Sequence, residues 1–167
     1  MQLLVIRHAR AMAREAFAKT CPDDGLRPLT KEGRKRMAIA ANGLRTLIEQ
    51  IDLLATSPLT RAVETAQILA DAYSVRPMER AELAPSRPPA ALAKWLQRQP
   101  EKAIVAIVGH EPHLSLCISW FLSGLDDPFV EMKKGAACLL EFPKKVAPGH
   151  GRLRWLLTSR QLGRLRP

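Results

Sequence analysis

Ala103-Ile104-Val105-Ala106-Ile107-Val108, closed by Gly109-His110-Glu111-Pro112, is the stretch that decides the fold. It is apolar without alternation and rich in β-branched residues. That is the pattern of a strand covered on both faces rather than one with a wet side. The polar closure marks the strand's end. Pro112 suits the first turn of a helix, which the pattern carries to about Leu122.

Two further runs are of the same kind. Residues 2–6 are apolar and stop at Arg7-His8-Ala9-Arg10, and Leu53-Leu54-Ala55-Thr56 stops at Ser57-Pro58. Between them, Thr30 reads as an N-cap with Glu32 in the first turn. Met37, Ala40, Ala41, Leu44, Leu47, Ile48 and Ile51 then form the stripe of an amphipathic helix. Ser57 and Pro58 read as N-cap and first residue of another helix, reaching about Tyr73 with Ala62, Ala66, Leu69 and Ala70 on one face. A brief strand near residues 75–78, a Pro-rich loop at 85–89 and a helix over 90–98 follow. Late strands at 136–142 and 152–158 are placed to pair antiparallel. Strands alternating with helices predict an α/β fold: a three-layer sandwich, its central sheet mostly parallel, with helices on both faces. No linker or repeat divides residues 1–167, so a single domain is expected.

Composition narrows the classes. With 47% hydrophobic and 25% charged residues in 167, the chain is neither disordered, collagenous nor a coiled coil. Its apolar runs fall short of the roughly 18 residues a membrane span needs. Arg7, His8 and Arg10 interrupt the first apolar run, unlike a signal peptide. Cys21, Cys117 and Cys138 are odd in number and form no C-x-x-C pair, so free, core-filling thiols and a cytoplasmic location are expected. A formal charge of +10 favours anionic partners. The basic residues are scattered, the densest stretches being Arg34-Lys35-Arg36 and the tail from Arg152 to Arg166. With one Tyr and four Phe there is no base-stacking platform, which argues against nucleic acid.

Ligands of such sheets bind outside the carboxyl ends of the strands. There the first strand delivers Arg7 and His8, the second Ser57 and then Arg61, and the strong strand His110. Each alone has an ordinary structural explanation. Together they would be polar groups left at the edge of a core they do not help to pack. Guanidinium groups clamp phosphoryl oxygens, helix N-termini add positive charge, and a histidine can attack phosphorus. There is no Walker A loop, no H-E-x-x-H and no cluster at metal-ligand spacing, so chemistry without metal or cofactor is expected.

Arg7-His8-Ala9, Leu29-Thr30-x-x-Gly33, Ser57-Pro58-x-x-Arg61-Ala62-x-x-Thr65-Ala66 and Gly109-His110 together resemble the histidine phosphatase superfamily, the phosphoglycerate-mutase-like proteins. The match runs over roughly residues 1–122. Ala9 replaces the glycine most members carry, and with the compact length resembles the SixA-type phosphohistidine phosphatases. The resemblance implies that His8 becomes a phosphohistidine, that Arg7, Arg61 and His110 form the phosphate pocket, and that water hydrolyses the intermediate. Larger relatives add a carboxylic acid after the third strand, for which Glu82 is the positional candidate. Glu111 and His113 sit near His110, where they could line the mouth of the pocket, with surface placement the expectation for both. The implied substrate is a phosphohistidine on an acidic signalling or carrier protein. Alternatives are a small-molecule phosphomonoesterase acting on sugar phosphates or nucleotides, and a non-catalytic phosphate- or nucleic-acid-binding module.

Overall fold

In the computed structural model, which describes residues 1–165, the three apolar runs become adjacent strands. The chain runs β1 (Gln2–Arg7), α1 (Arg14–Ala18), α2 (Lys31–Leu44), β2 (Leu53–Thr56), α3 (Thr60–Tyr73), β3 (Pro77–Glu79), α4 (Pro89–Leu96), β4 (Ile104–Gly109), α5 (His113–Ser123), β5 (Ala137–Glu141), β6 (Arg152–Leu157) and α6 (Ser159–Leu162). The sheet order is β3-β2-β4-β1-β5-β6. Its first four strands are parallel, and β5 runs antiparallel to both β1 and β6. This is the expected α/β architecture, a mostly parallel sheet between two layers of helices. β4, the strand read first in the sequence, lies between β1 and β2.

Continuous apolarity has its reason in two cores. Leu3, Val5, Val105 and Ile107 face one side of the sheet and pack with Leu92, Leu96, Ile118 and Phe121 of α4 and α5. Leu4, Ile6, Ala106 and Val108 face the other and pack with Met37, Ala40 and Leu44 of α2 and Ala62, Ala66 and Leu69 of α3. A strand sandwiched this way has no face left for polar residues.

Several local expectations shift. The second helix opens at Lys31 as its cap requires, with the Thr30 hydroxyl accepting from the Gly33 N–H at 2.9 Å. It ends at Leu44 rather than at Ile51, although Ile48 and Ile51 remain buried. Ser57 is not a helix cap. Its N–H pairs with the Val108 carbonyl at 3.0 Å, extending the strand edge, and Leu59 caps α3 instead. The third strand starts at Pro77, two residues late. Two short helices, α1 and α6, carry no stripe long enough to read in advance, but α6 has a capping box between Thr158 and Gln161. In the basic tail Arg152, Arg154, Arg160 and Arg164 are exposed, while Arg166 lies outside the described residues. Among the described residues no helix is long and apolar enough to cross a membrane.

Candidate active site

Strand order brings the polar strand ends together. The His8 N–H donates to the Gly109 carbonyl at 3.0 Å on one side of β4, and Ser57 reaches Val108 on the other. The rings of His8 and His110 stand 5.0 Å apart between centroids. Arg7, His8, Arg61 and His110 line one cleft of about 540 Å³. The helices after β2 and β4 both begin within three residues of these strand ends, at Thr60 and His113.

His8 is held by its neighbour's backbone. Its Nδ1 donates to the Ala9 carbonyl at 2.7 Å. A carbonyl only accepts, so in the neutral ring the proton sits on Nδ1 and Nε2 keeps its lone pair. The Ala9 N–H donates to Thr65 Oγ1 at 3.0 Å, and that hydroxyl donates to the Arg61 carbonyl at 2.7 Å. Thr65 thus ties the first motif to the third. Burial pushes His8 down to about 4; the Ala9 bond opposes this, and the charges of Arg61 and Arg7 add to it. The imidazole is therefore neutral near pH 7, as a nucleophile must be.

His110 Nε2 lies 2.8 Å from Ser57 Oγ. Burial, with the neighbouring His8 and Arg61, pushes it down to about 3. Arg61 is 5% exposed and donates to the Asp24 carbonyl at 2.9 Å, with its other terminal nitrogen 3.4 Å from the Asp24 carboxylate. That carboxylate also holds Arg27 at 2.7 Å and Arg14 at 3.3 Å. Hydrogen bonding from Arg27 above all, then the arginine charges, hold the Asp24 carboxyl below the usual range. Arg7 donates to the Met132 carbonyl at 2.6 Å. Arg7 Nε, Arg61 Nε and His110 Nδ1 are all enclosed without a hydrogen-bond partner. Three unpaired nitrogens on one cleft call for an acceptor-rich anion.

The cleft is strongly cationic. Arg7, Arg10, Arg14, Arg27, Arg61 and Lys134 line it, against the carboxylates of Glu15 and Glu111. Glu82 is not among the lining residues. It sits on a short 3₁₀ turn, Ala81–Leu83, 2.8 Å from Arg80. Burial would raise its carboxyl, but bonds from its own backbone and from Arg80 outweigh that and hold it low. The positional candidate for a proton donor is therefore paired elsewhere. The surface expectation fails for His113, while Glu111 takes the place at the pocket that the sequence had left open. Glu111 is on the cleft wall, and His113 is 2% exposed with Nε2 3.4 Å from Cys117 Sγ. Both follow from the turn into α5, which directs these residues inward. Asp24, Thr65 and Arg27 went unrecognised as parts of the site. Only Thr65 carried a signal, through its place in the third motif.

These elements set unpartnered guanidinium and imidazole nitrogens around a buried histidine, an arrangement suited to a tetrahedral oxyanion. The family model of the histidine phosphatase superfamily (branch 1) matches residues 3–85. An uncharacterized protein of Picosynechococcus sp. is 38% identical over 118 residues, 68% of each chain. A structure of the protein histidine phosphatase SixA complexed with tungstate superposes with a TM-score of 0.83 at 23% identity, covering 97% of this chain and 99% of that one. A phosphoserine phosphatase of Entamoeba histolytica, in complex with phosphoserine, superposes at 0.74 with 16% identity, covering 96% and 98%. The chain belongs to the histidine phosphatase superfamily and is a phosphatase of that class.

Proposed function

We propose that this phosphatase hydrolyses phosphohistidine, without a metal, through a covalent phosphohistidine at His8. The observation that carries the reading is the trio of unpartnered nitrogens, Arg7 Nε, Arg61 Nε and His110 Nδ1, around an imidazole whose Nδ1 is already engaged. In the first step His8 Nε2 forms a bond to phosphorus as the bond to the leaving group breaks. Arg7, Arg61 and His110 take up the charge on the three equatorial oxygens; one such donor is worth about 10²–10³ in rate. In the second step water attacks the phosphoryl group, and the N–P electron pair returns to His8.

The substrate preference rests on two features. Six cationic side chains at the cleft suit an acidic protein surface, and Glu82, tied to Arg80, is not free to protonate an alkoxide. A protonated imidazole leaves without such help. Free cysteines, with the buried Cys117 and Cys138 thiols pushed up to about 12, accord with a reducing cytoplasm. A second reading, a small-molecule phosphomonoesterase, uses the same phosphate pocket. One residue favours it, the carboxyl of Glu111 on the cleft wall. A substrate panel separates the two. With a phosphohistidine protein, sugar phosphates, nucleotides and an aryl phosphate, kcat/KM should be highest for the phosphohistidine protein. Turnover of sugar phosphates with none of phosphohistidine would overturn the first reading.

A further inference from the structure

Arg7 and Arg61 are presented to the cleft in the same way. Each has a terminal nitrogen donating to a backbone carbonyl, Arg7 to Met132 at 2.6 Å and Arg61 to Asp24 at 2.9 Å, and each keeps its Nε enclosed and unpartnered. Arg61 differs in carrying a carboxylate as well, since its second terminal nitrogen stands 3.4 Å from Asp24 Oδ2. The other oxygen of that carboxylate meets Arg27 Nε at 2.7 Å and Arg14 Nε at 3.3 Å. Asp24 thereby joins three segments: the start of α1, the turn before α2 and the first turn of α3. All three of its arginines line the cleft and Asp24 does not, so the carboxylate stands behind the layer of guanidinium groups. Glu15 and Glu111 do line the cleft, yet neither pairs with any of its arginines among the described residues. The turn itself does not depend on the Asp24 side chain. Asp23 Oδ1 accepts from the Gly25 N–H at 2.8 Å, and Arg27 has a second tether in the Met12 carbonyl at 2.7 Å. Two consequences follow from a carboxylate in this place. A guanidinium group is planar, so holding both terminal nitrogens of Arg61 fixes the direction of its Nε–H. A negative charge behind the arginines also weakens their pull on any anion in front.

We propose that Asp24 is the positioning residue of Arg61 and the counter-charge of the phosphate pocket. It holds the Arg61 Nε–H on the phosphoryl group during transfer, and by offsetting guanidinium charge it lets the product phosphate leave. The proposal rests on the phosphatase reading above, with Arg61 as a ligand of the transferred group. Its two halves act in opposite directions on measurable quantities. Loss of the carboxylate loosens Arg61 and slows the reaction, while the same loss makes the pocket more cationic and strengthens anion binding. A residue that merely supported the fold would lower the active fraction and leave the affinity for phosphate unchanged.

The test is Asp24→Asn on the full chain, with p-nitrophenyl phosphate as substrate and inorganic phosphate as inhibitor. Asparagine keeps the shape and removes the charge, and the main-chain carbonyl at this position still accepts from Arg61. The variant's kcat should fall about 10–10²-fold, the cost of a misplaced clamp. Its inhibition constant for phosphate should fall as well, by about three- to tenfold, and KM should not rise. Asp24→Glu, which restores the charge, should bring the phosphate constant back towards the wild-type value. In an Arg61→Ala background, Asp24→Asn should no longer lower kcat, because it acts through Arg61. Unchanged or weaker phosphate binding in Asp24→Asn, an unchanged kcat, a fall in kcat that persists without Arg61, or a variant shown unfolded by near-ultraviolet circular dichroism would each overturn the role of Asp24 while leaving the phosphatase reading in place. A wild type that fails to bind inorganic phosphate or to turn over p-nitrophenyl phosphate would overturn that reading itself.

Discussion

Ala9 offers no functional side chain, yet both its backbone groups are in use: the carbonyl accepts from His8 Nδ1 and the N–H donates to Thr65. An alanine makes both bonds as well as a glycine does, because what the position supplies is backbone. The same bond sets the tautomer of His8, and burial keeps the ring neutral. An NMR titration of the ring protons should therefore find His8 near 4 and His110 near 3. Inorganic phosphate should move both upward, because an anion favours the imidazolium. The unfolded chain, with histidines near 6.5, binds more protons than the native state between that value and about 4. Stability should accordingly fall as pH drops from about 6.5 towards 4, and the loss should shrink when phosphate is bound. An inflection of His8 at its ordinary value in the free protein would contradict the account.

At the scale of elements, the turn into α2 explains the second motif. Thr30 donates its N–H to the Arg10 carbonyl at 2.9 Å and caps the helix at Gly33. A Cβ at Gly33 would stand 2.1 Å from that carbonyl oxygen, closer than any real contact. Gly33→Ala should thus displace the Arg10 segment, two residues beyond His8, and lower stability by about 1–3 kcal/mol. Urea unfolding measures this, and an unchanged midpoint would show that the contact is not needed. The strands and long helices were legible because burial on both faces, and on one stripe, leaves its mark in sequence. Ser57 was not, since a serine before a proline reads as a cap whether its hydroxyl meets the helix or a histidine 53 residues away. Asp24 left no local trace either: its three arginines lie on either side of it in the chain and meet only in the fold. The four principal site residues were legible as strand ends, but the order β2-β4-β1 that gathers them is a tertiary fact. Glu82 was chosen by position in the chain, and only the fold pairs it with Arg80 while turning Glu111 to the cleft.

Over the whole molecule, the excess of +10 is not spread evenly with respect to function, because six cationic side chains converge on one cleft. Among the described residues no group of three or more histidine, cysteine or acidic side chains stands together as a metal site. On the proposed mechanism guanidinium and imidazole groups meet the phosphoryl charge, so turnover should survive EDTA; loss in chelator, restored by magnesium or zinc, would contradict this. The central claim is that the whole fold serves to present His8 Nε2 to phosphorus. The most direct measurement is to mix the protein briefly with labelled substrate, quench in alkali, where an N–P bond survives, and locate the label. The account predicts label on His8 and none in a folded His8→Ala variant. Label on Ser57 or Glu111, or undiminished turnover by His8→Ala, would contradict it.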